Sequence, residues 1–493
     1  MMTVDITNTP CTAIVAGLLI CYCLSTWIYN LYYHPLADFP GPLLGRASLW
    51  WRFIHTSTGK IHLALADLHK QYGPIVRVSP NELSFGTVES WKAIYGHTDP
   101  IPQKAAYYDI FSAGLRSKCL GSERDERRHA AMHRMLAPAF ATRALLDQEH
   151  IINRIIDRFV QIVGERAPPG SQGINMCKWY EMCAFDIMGE MAFGESFHSI
   201  EAGKPHFWGD LVLSHIYFIT FVDNLARIGS IATLFRYLVP SSVLVQNRIS
   251  RYAREQVERC LSSNTRRKDF VSLLVEKVHK CEVEKEEMAA HVSTFAIAGG
   301  ETIASFLSAT TFFLLQYPDK LERLVSEIRG AFPSYDDVNA QAAQHLPYLQ
   351  GVINEGLRFC PPGSQGAPRV SPGFELHGRY IPKGVEISTS PWTTTHSAKY
   401  FKDPMKFIPE RWLDPHSTDV KEASQPFLLG PRSCIGRNFA HLEMNLVMTK
   451  LLWRYDLELV NRSLDWFGEG RVYVFGGSLN LLFAFMSEIA RLA

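Results

Sequence analysis

The ten residues Phe427-Leu-Leu-Gly430-Pro-Arg432-Ser-Cys434-Ile-Gly436 constrain this chain more than any other stretch. Gly430 and Gly436 flank the cysteine and permit tight backbone turns. Amides turned toward the sulfur would stabilise a thiolate. Arg432 carries a planar fork of donors suited to an anionic group. Phe427 can shield the sulfur from water. Taken alone, a cysteine among glycines is more often structural than a ligand.

The chain has 493 residues, room for roughly three average domains or for one large enzyme fold. Hydrophobic residues make up 47% and charged residues 20%, ordinary globular values that argue against disorder, collagen or a multi-span membrane protein. Lys+Arg 50 against Asp+Glu 49 gives +1, so no nucleic-acid partner is expected. The 10 cysteines contain no Cys-x-x-Cys pair, which disfavours a zinc ribbon or thioredoxin-type site. Most are expected to be free, reduced and buried.

No Asp, Glu, Lys or Arg occurs between Asp5 and Asp38. Within that window Ile14 to Tyr33 is long and apolar enough to cross a bilayer once. Trp27, Tyr29, Tyr32 and Tyr33 crowd its end, where aromatic rings favour the membrane–water interface. A basic n-region and a small-residue cleavage site are both missing, so residues 1–33 read as an uncleaved anchor rather than a signal peptide. The nearest basic residues, Arg46, Arg52 and Lys60, lie downstream and place the body in the cytoplasm. Residues 34–42 hold three prolines and read as an extended, stiff hinge before a body of residues 43–493.

The body is mainly α with small β-sheets. Apolar residues recur at helical spacing near 60–72, 142–165, 175–193, 245–262, 286–316, 318–331 and 439–454. Short strand-like stretches stand at Ile75–Val78, Glu82–Phe85, Glu386–Thr389 and Arg471–Phe475. The charged run Cys281–Glu287 reads as a solvated helix start.

The cysteine loop resembles the signature of the cytochrome P450 superfamily, Phe-x-x-Gly-x-Arg-x-Cys-x-Gly, without a mismatch. The resemblance implies a cytochrome P450 fold behind one transmembrane helix. It implies haem b, with Cys434 as axial iron ligand, Arg432 at a haem propionate and Phe427 beside the sulfur. Thiolate ligation pushes electron density to the iron and favours O–O cleavage. Glu355-Gly-Leu-Arg358 resembles the family's Glu-x-x-Arg helix, and Pro409-Glu-Arg411-Trp412 its Pro-Glu-Arg-Phe block. Glu355, Arg358 and Arg411 would then form a buried structural triad. Spacing i, i+3 alone places Glu355 and Arg358 on one helix face, where a surface ion pair is the plainer outcome.

Ala298-Gly299-Gly300-Glu301-Thr302 lies within an apolar helix. Paired glycines cost about 1 kcal/mol each against Ala there, and close approach of a ligand is the usual reason for them. The stretch resembles the family's oxygen-activation motif, which makes Gly299 a cofactor neighbour, Thr302 the hydroxyl that meets O2 and Glu301 a proton relay from water. Many members carry Thr or Ser next, whereas this chain has Ile303. A second transmembrane helix here is disfavoured by Glu301 at its centre. By resemblance Arg369 also meets a propionate. His129 and His133 stand where the family has Trp and Arg, and so become propionate donors without permanent charge.

Cavity walls by resemblance are the 101–120 loop with Tyr107, Tyr108 and Phe111, the loop 362–367, and the turn 475–479. The apolar stretch Phe207–Leu238 reads as a lid dipping into the membrane. A lipophilic substrate such as a terpenoid or polyketide follows. Gly299-Gly300 sits inside a helix, so it is no dinucleotide loop. Electrons then come from NADPH through a separate cytochrome P450 reductase, with cytochrome b5 as a further donor. Arg127, Arg134, Arg437 and Lys450 are candidate docking charges. The reading is a monooxygenase of the endoplasmic reticulum membrane that hydroxylates or epoxidises a secondary metabolite, resembling fungal microsomal members. Its rivals are a haem-thiolate isomerase or dehydratase working without reductase, and a non-catalytic haem or lipid carrier. Asn461-Arg-Ser463 is a glycosylation sequon that a cytosolic body would leave unmodified.

Overall fold

The structure, a computed structural model, describes residues 9–112, 114–209, 211, 223–224, 227, 240–262, 270–470 and 482–488. Helices dominate, and one of them organises the rest. Lys285–Gln316 runs for 32 residues through the centre. Glu286 and Glu287 in its first turn suit the positive end of the helix dipole. It stops at Tyr317, before Pro318, which begins the next helix, Pro318–Ala331, at a position where its missing N–H is harmless. Of its apolar window 72% is buried inside the protein, so it is a core helix and not a second span. It packs lengthwise against Met176–Phe193, itself almost wholly buried.

The helices expected near 60–72, 175–193, 245–262, 318–331 and 439–454 are present within a few residues of those bounds. The expected helix 142–165 is two, Thr142–Leu146 and Glu149–Arg166. Between them Gln148 folds back to donate to the Ala144 carbonyl at 2.7 Å, which ends the first. Of Cys281–Glu287, only Lys285 onward is helical, and Val283 is buried.

A five-stranded sheet has the order β1-β2-β8-β5-β3. Its strands are β1 (Ile75–Ser79), β2 (Glu82–Phe85), β3 (Gln103–Lys104), β5 (Arg369–Val370) and β8 (Glu386–Thr389). β2 and β8 are parallel, while β3 and β5 are antiparallel with Lys104 directly opposite Arg369. A second sheet joins β4 (Ile174–Asn175), β10 (Leu482–Glu488) and β9 (Tyr455–Leu459). A hairpin pairs β6 (Phe374–Leu376) with β7 (Arg379–Ile381). The strand expected at 471–475 lies outside the described residues.

At the N-terminus Thr9–Ile28 is helical and continues as a π-helical turn, Tyr29–Tyr33. Residues Ala13–Tyr33 are apolar and only 6% buried, a candidate membrane span. The proline segment is not the extended connector expected. Residues 35–38 form a turn, and Leu36 and Phe39 are buried against the body. The fully buried Arg77 holds it there. Its guanidinium donates to the carbonyls of Asn30 at 2.8 Å, Leu36 at 3.1 Å and Pro80 at 2.8 Å.

Candidate active site

The cysteine loop turns on Gly430, whose φ of +66 is open to glycine at little cost. Two backbone bonds close it: Cys434 N to Phe427 O at 2.8 Å and Ser433 N to Gly430 O at 3.1 Å. Cys434 is exposed, although desolvation pushes its thiol pKa up and the Gly436 N–H and Arg437 pull it down. Both hold if the sulfur faces an internal cleft well below the outer surface. Phe427 lies beside His441, ring centroids 5.3 Å apart, with the Arg437 guanidinium over its ring.

Arg432 is buried and donates to the carbonyls of Glu123 at 3.1 Å and Arg124 at 2.8 Å. Those residues lead into the helix Glu126–Leu136, capped by Asp125, whose carboxylate accepts from Arg128 N at 2.8 Å. This helix carries His129, buried, and His133, with ring centroids 6.3 Å apart. Arg369 is buried and donates to the Tyr108 hydroxyl at 2.7 Å. Lys104, also buried, donates to the carbonyls of Leu120 at 2.8 Å and Gly121 at 2.7 Å. Burial, then Arg432 and Arg369, lower the Lys104 pKa to about 7. Burial, then Lys104 and Arg432, lower His129 to about 3, so its ring is neutral at pH 7. The cluster is thus a set of buried cations and ring donors drawn from the five-stranded sheet, one helix and the cysteine loop.

Glu355 and Arg358 are fully buried, not the surface pair that spacing alone suggests. Arg358 makes a two-pronged contact to Glu355, Nε to Oε2 and Nη2 to Oε1, both 2.8 Å. Arg411 Nε adds a third at 3.3 Å. Trp412 Nε1 and the Ile408 N–H also donate to the Glu355 carboxylate, at 2.9 and 2.8 Å. Asp419, with no motif to mark it, takes the other side of Arg411.

On the central helix, Ala298 is exposed and the Thr302 hydroxyl donates to its carbonyl at 2.6 Å. Glu301 is buried. Burial, then the neighbouring Glu181, raise its pKa to about 8, so it keeps its proton at pH 7. Ile303 is buried in the core. Gly299 has a reason other than a ligand's approach. A Cβ there would strike the Met188 thioether, and one at Gly300 would meet the Phe185 ring at 2.9 Å. The glycine pair lets the central helix close on Met176–Phe193.

Beside this stands a change of chemistry at Lys450, expected on the surface: it is buried and paired with Asp157 at 2.6 Å. Arg127, Arg134 and Arg437 are exposed. Tyr107, Tyr108 and Phe111 form one cluster of edge-on and tilted rings. Of the apolar 207–238 stretch only seven residues are described, and the turn 475–479 lies outside the described residues. Among the described cysteines Cys119, Cys183 and Cys260 are buried, fewer than expected.

A sequence model of the family described as Cytochrome P450 matches residues 40–467. The chain belongs to that family. It is 59% identical over 463 residues to the cytochrome P450 monooxygenase BOT4 of Botryotinia fuckeliana, covering 93% of this chain and 88% of that protein. Identity is 51% to the cytochrome P450 monooxygenase ORF9 of Penicillium roqueforti, over 94% and 91% of the two chains. It is 32% to the trichothecene C-15 hydroxylase of Fusarium sporotrichioides, over 94% and 96%. The chain is accordingly a P450 monooxygenase, an oxidoreductase of the haem-thiolate type.

The residues present fit a haem. Among the described residues none of the buried cations Lys104, Arg369 and Arg432 forms an ion pair with a carboxylate, a costly state for the protein alone. Two haem carboxylates would supply the missing negative charge. Cys434 would offer the iron a sulfur ligand, and bound haem would supply the activation of O2. The protein's own part would then be proton handling. Glu301 holds a proton next to Thr302 in the chain. Thr302 can exchange its bond to the Ala298 carbonyl for one to a reacting oxygen. A carboxyl poised near neutrality is suited to such relay work.

Proposed function

We propose that this P450, anchored by residues 1–33 and carrying its catalytic domain, residues 43–493, on the cytoplasmic face of the endoplasmic reticulum, oxidises a lipophilic secondary metabolite. One oxygen atom of O2 enters a C–H or C=C bond and the other leaves as water, with two protons and two electrons taken up. NADPH provides the electrons through a membrane-bound reductase, with cytochrome b5 as an additional donor, and haem b is the cofactor. Cys434 ligates the iron, Arg432, Arg369 and His129 meet the propionates, and Phe427 shields the sulfur. Glu301 and Thr302 deliver protons. Residues 34–42 set the tilt of the domain against the bilayer.

The observation that carries this reading is the buried Glu301, held protonated next to Thr302 on the central helix. A haem-thiolate isomerase or a haem carrier has no need of a proton relay. The exposed apolar helix Ala13–Tyr33 supports the anchor. Likeness to a trichothecene hydroxylase favours a terpenoid substrate. Metabolite profiling of a strain lacking the chain should show accumulation of a less oxidised precursor. Microsomes holding the protein should convert that precursor only with NADPH and reductase. Conversion without either would replace this reading with the isomerase.

A further inference from the structure

The apolar stretch 207–238 carries four charged residues, Asp210, Asp223, Arg227 and Arg236. Asp223 and Arg227, with Asn224, are seated in a polar network on the body of the protein. Arg52 and Thr56 enter it from the helix Trp50–Ser57, Glu82 from β2 and Glu386 from β8. Arg52, Thr56, Glu82, Asp223 and Asn224 are all buried. Glu82 and Glu386 stand side by side across their parallel strands, where each disfavours the charge of the other. The bonds fall into two sets. Within the body Arg52 donates to Glu82 at 2.9 Å, and within the segment Arg227 donates to Asp223 at 3.0 Å. Across the joint Arg227 donates to Glu386 at 2.6 Å and Arg52 to the Asn224 amide oxygen at 2.8 Å. Arg52 also meets Asp223 at 3.2 Å, and Asn224 Nδ2 donates to the Thr56 hydroxyl at 2.8 Å.

Parting this joint leaves one ion pair whole on each side, Arg52 with Glu82 and Arg227 with Asp223. Separating a buried charge from its partner is costly, and here neither arginine suffers it. Among the described residues Glu386 alone loses its cation, so its charge is what holds the joint shut. Burial, then Asp223, push the Tyr107 phenol up, which sets the joint beside a ring expected in the cavity wall. We propose that Asp223, Asn224 and Arg227 form a releasable ionic clasp, which holds their segment on the sheet and parts to admit a lipophilic ligand to the cleft. The inference rests on the proposed oxidation of such a molecule. An apolar seal would bind the very ligand it has to let pass, whereas buried charges offer it no favourable contact.

The test uses full-length holoprotein in lipid nanodiscs and stopped-flow absorbance. Clotrimazole, a bulky azole that ligates haem iron, is the large probe and carbon monoxide the small one. E386Q should speed both association and dissociation of clotrimazole by about tenfold, the order that a charged hydrogen bond supports, with its Kd within about twofold of wild type and carbon monoxide binding unchanged. E386D keeps the charge and should stay near wild type. N224A removes two bonds across the joint and no charge, and should speed both clotrimazole rates about threefold. A residue that merely shapes the sheet or the cavity would shift the clotrimazole Kd or speed carbon monoxide as well, and either outcome overturns the proposal. So do wild-type clotrimazole rates in E386Q. Should E386Q not fold, N224A decides alone, and wild-type rates there are the refuting result. Absence of a thiolate-type Soret band in the wild type would instead sink the haem-thiolate reading itself.

Discussion

Glu355→Gln tests whether one buried carboxylate holds the region behind the cysteine loop. Five donors converge on Glu355: two from Arg358, one from Arg411, the Trp412 indole and the Ile408 amide. Glutamine keeps the shape, removes the charge and turns an NH2 group toward a guanidinium. Arg411 retains Asp419, so the uncompensated charge falls on Arg358. Its remaining partners are the carbonyls of Thr395, Pro404 and Lys406. Stranding a buried charge in this way costs about 3–5 kcal/mol. That is a large share of a typical stability of ~5–15 kcal/mol. Asp419→Asn leaves Arg411 its bond to Glu355 and should cost about 1.5–3 kcal/mol, the worth of a charged hydrogen bond. Haem content, the carbon monoxide difference band and urea unfolding measure both variants. E355Q should accumulate with little haem, and D419N should be intermediate. An E355Q holoprotein with full haem content and stability within 1 kcal/mol of wild type would refute the argument.

Glu301 has its pKa raised from 4.5 to about 8. The folded state therefore holds the proton more tightly, and this contribution to stability is full below about pH 4.5 and lost as pH rises toward 8. Unfolding of E301Q measured from pH 5 to 9 should lack that loss, while the rate of product formation falls by about 100-fold, the smaller end of a general acid's contribution. Gly300→Ala gains about 1 kcal/mol of helix propensity and forces a methyl into the rigid Phe185 ring, an overpacking cost of about 1–3 kcal/mol. Gly299→Ala meets only the flexible Met188 thioether. Thermal melts should rank G300A below G299A, and equal melts would remove helix packing as the reason for the glycine pair.

Local pattern was a good guide wherever one element carries its own signal. Helical periodicity marked most long helices, and short strand-like stretches between Pro and Gly turns marked β1, β2 and β8. Glu355 and Arg358 were legible because they share a helix and a motif. Their burial, and the part of Asp419, were not, since both depend on segments far apart in the chain. The proline segment read as an extended, stiff hinge because its sequence says nothing of Arg77, further along the chain. The glycine pair suggested a ligand for the same reason: Met188 and Phe185 belong to another helix.

Sequence by itself determined the cysteine loop, the apolar N-terminal helix, the helical body and the family, because each is written in contiguous residues with a fixed spacing. Tertiary structure alone decided which charges meet. It set Lys104 against Arg369, drew the proline turn onto Arg77 and gave Glu301 its proton. Burial and charge proximity are properties of packing, and strand pairing and helix contact bring together residues that lie far apart in the chain.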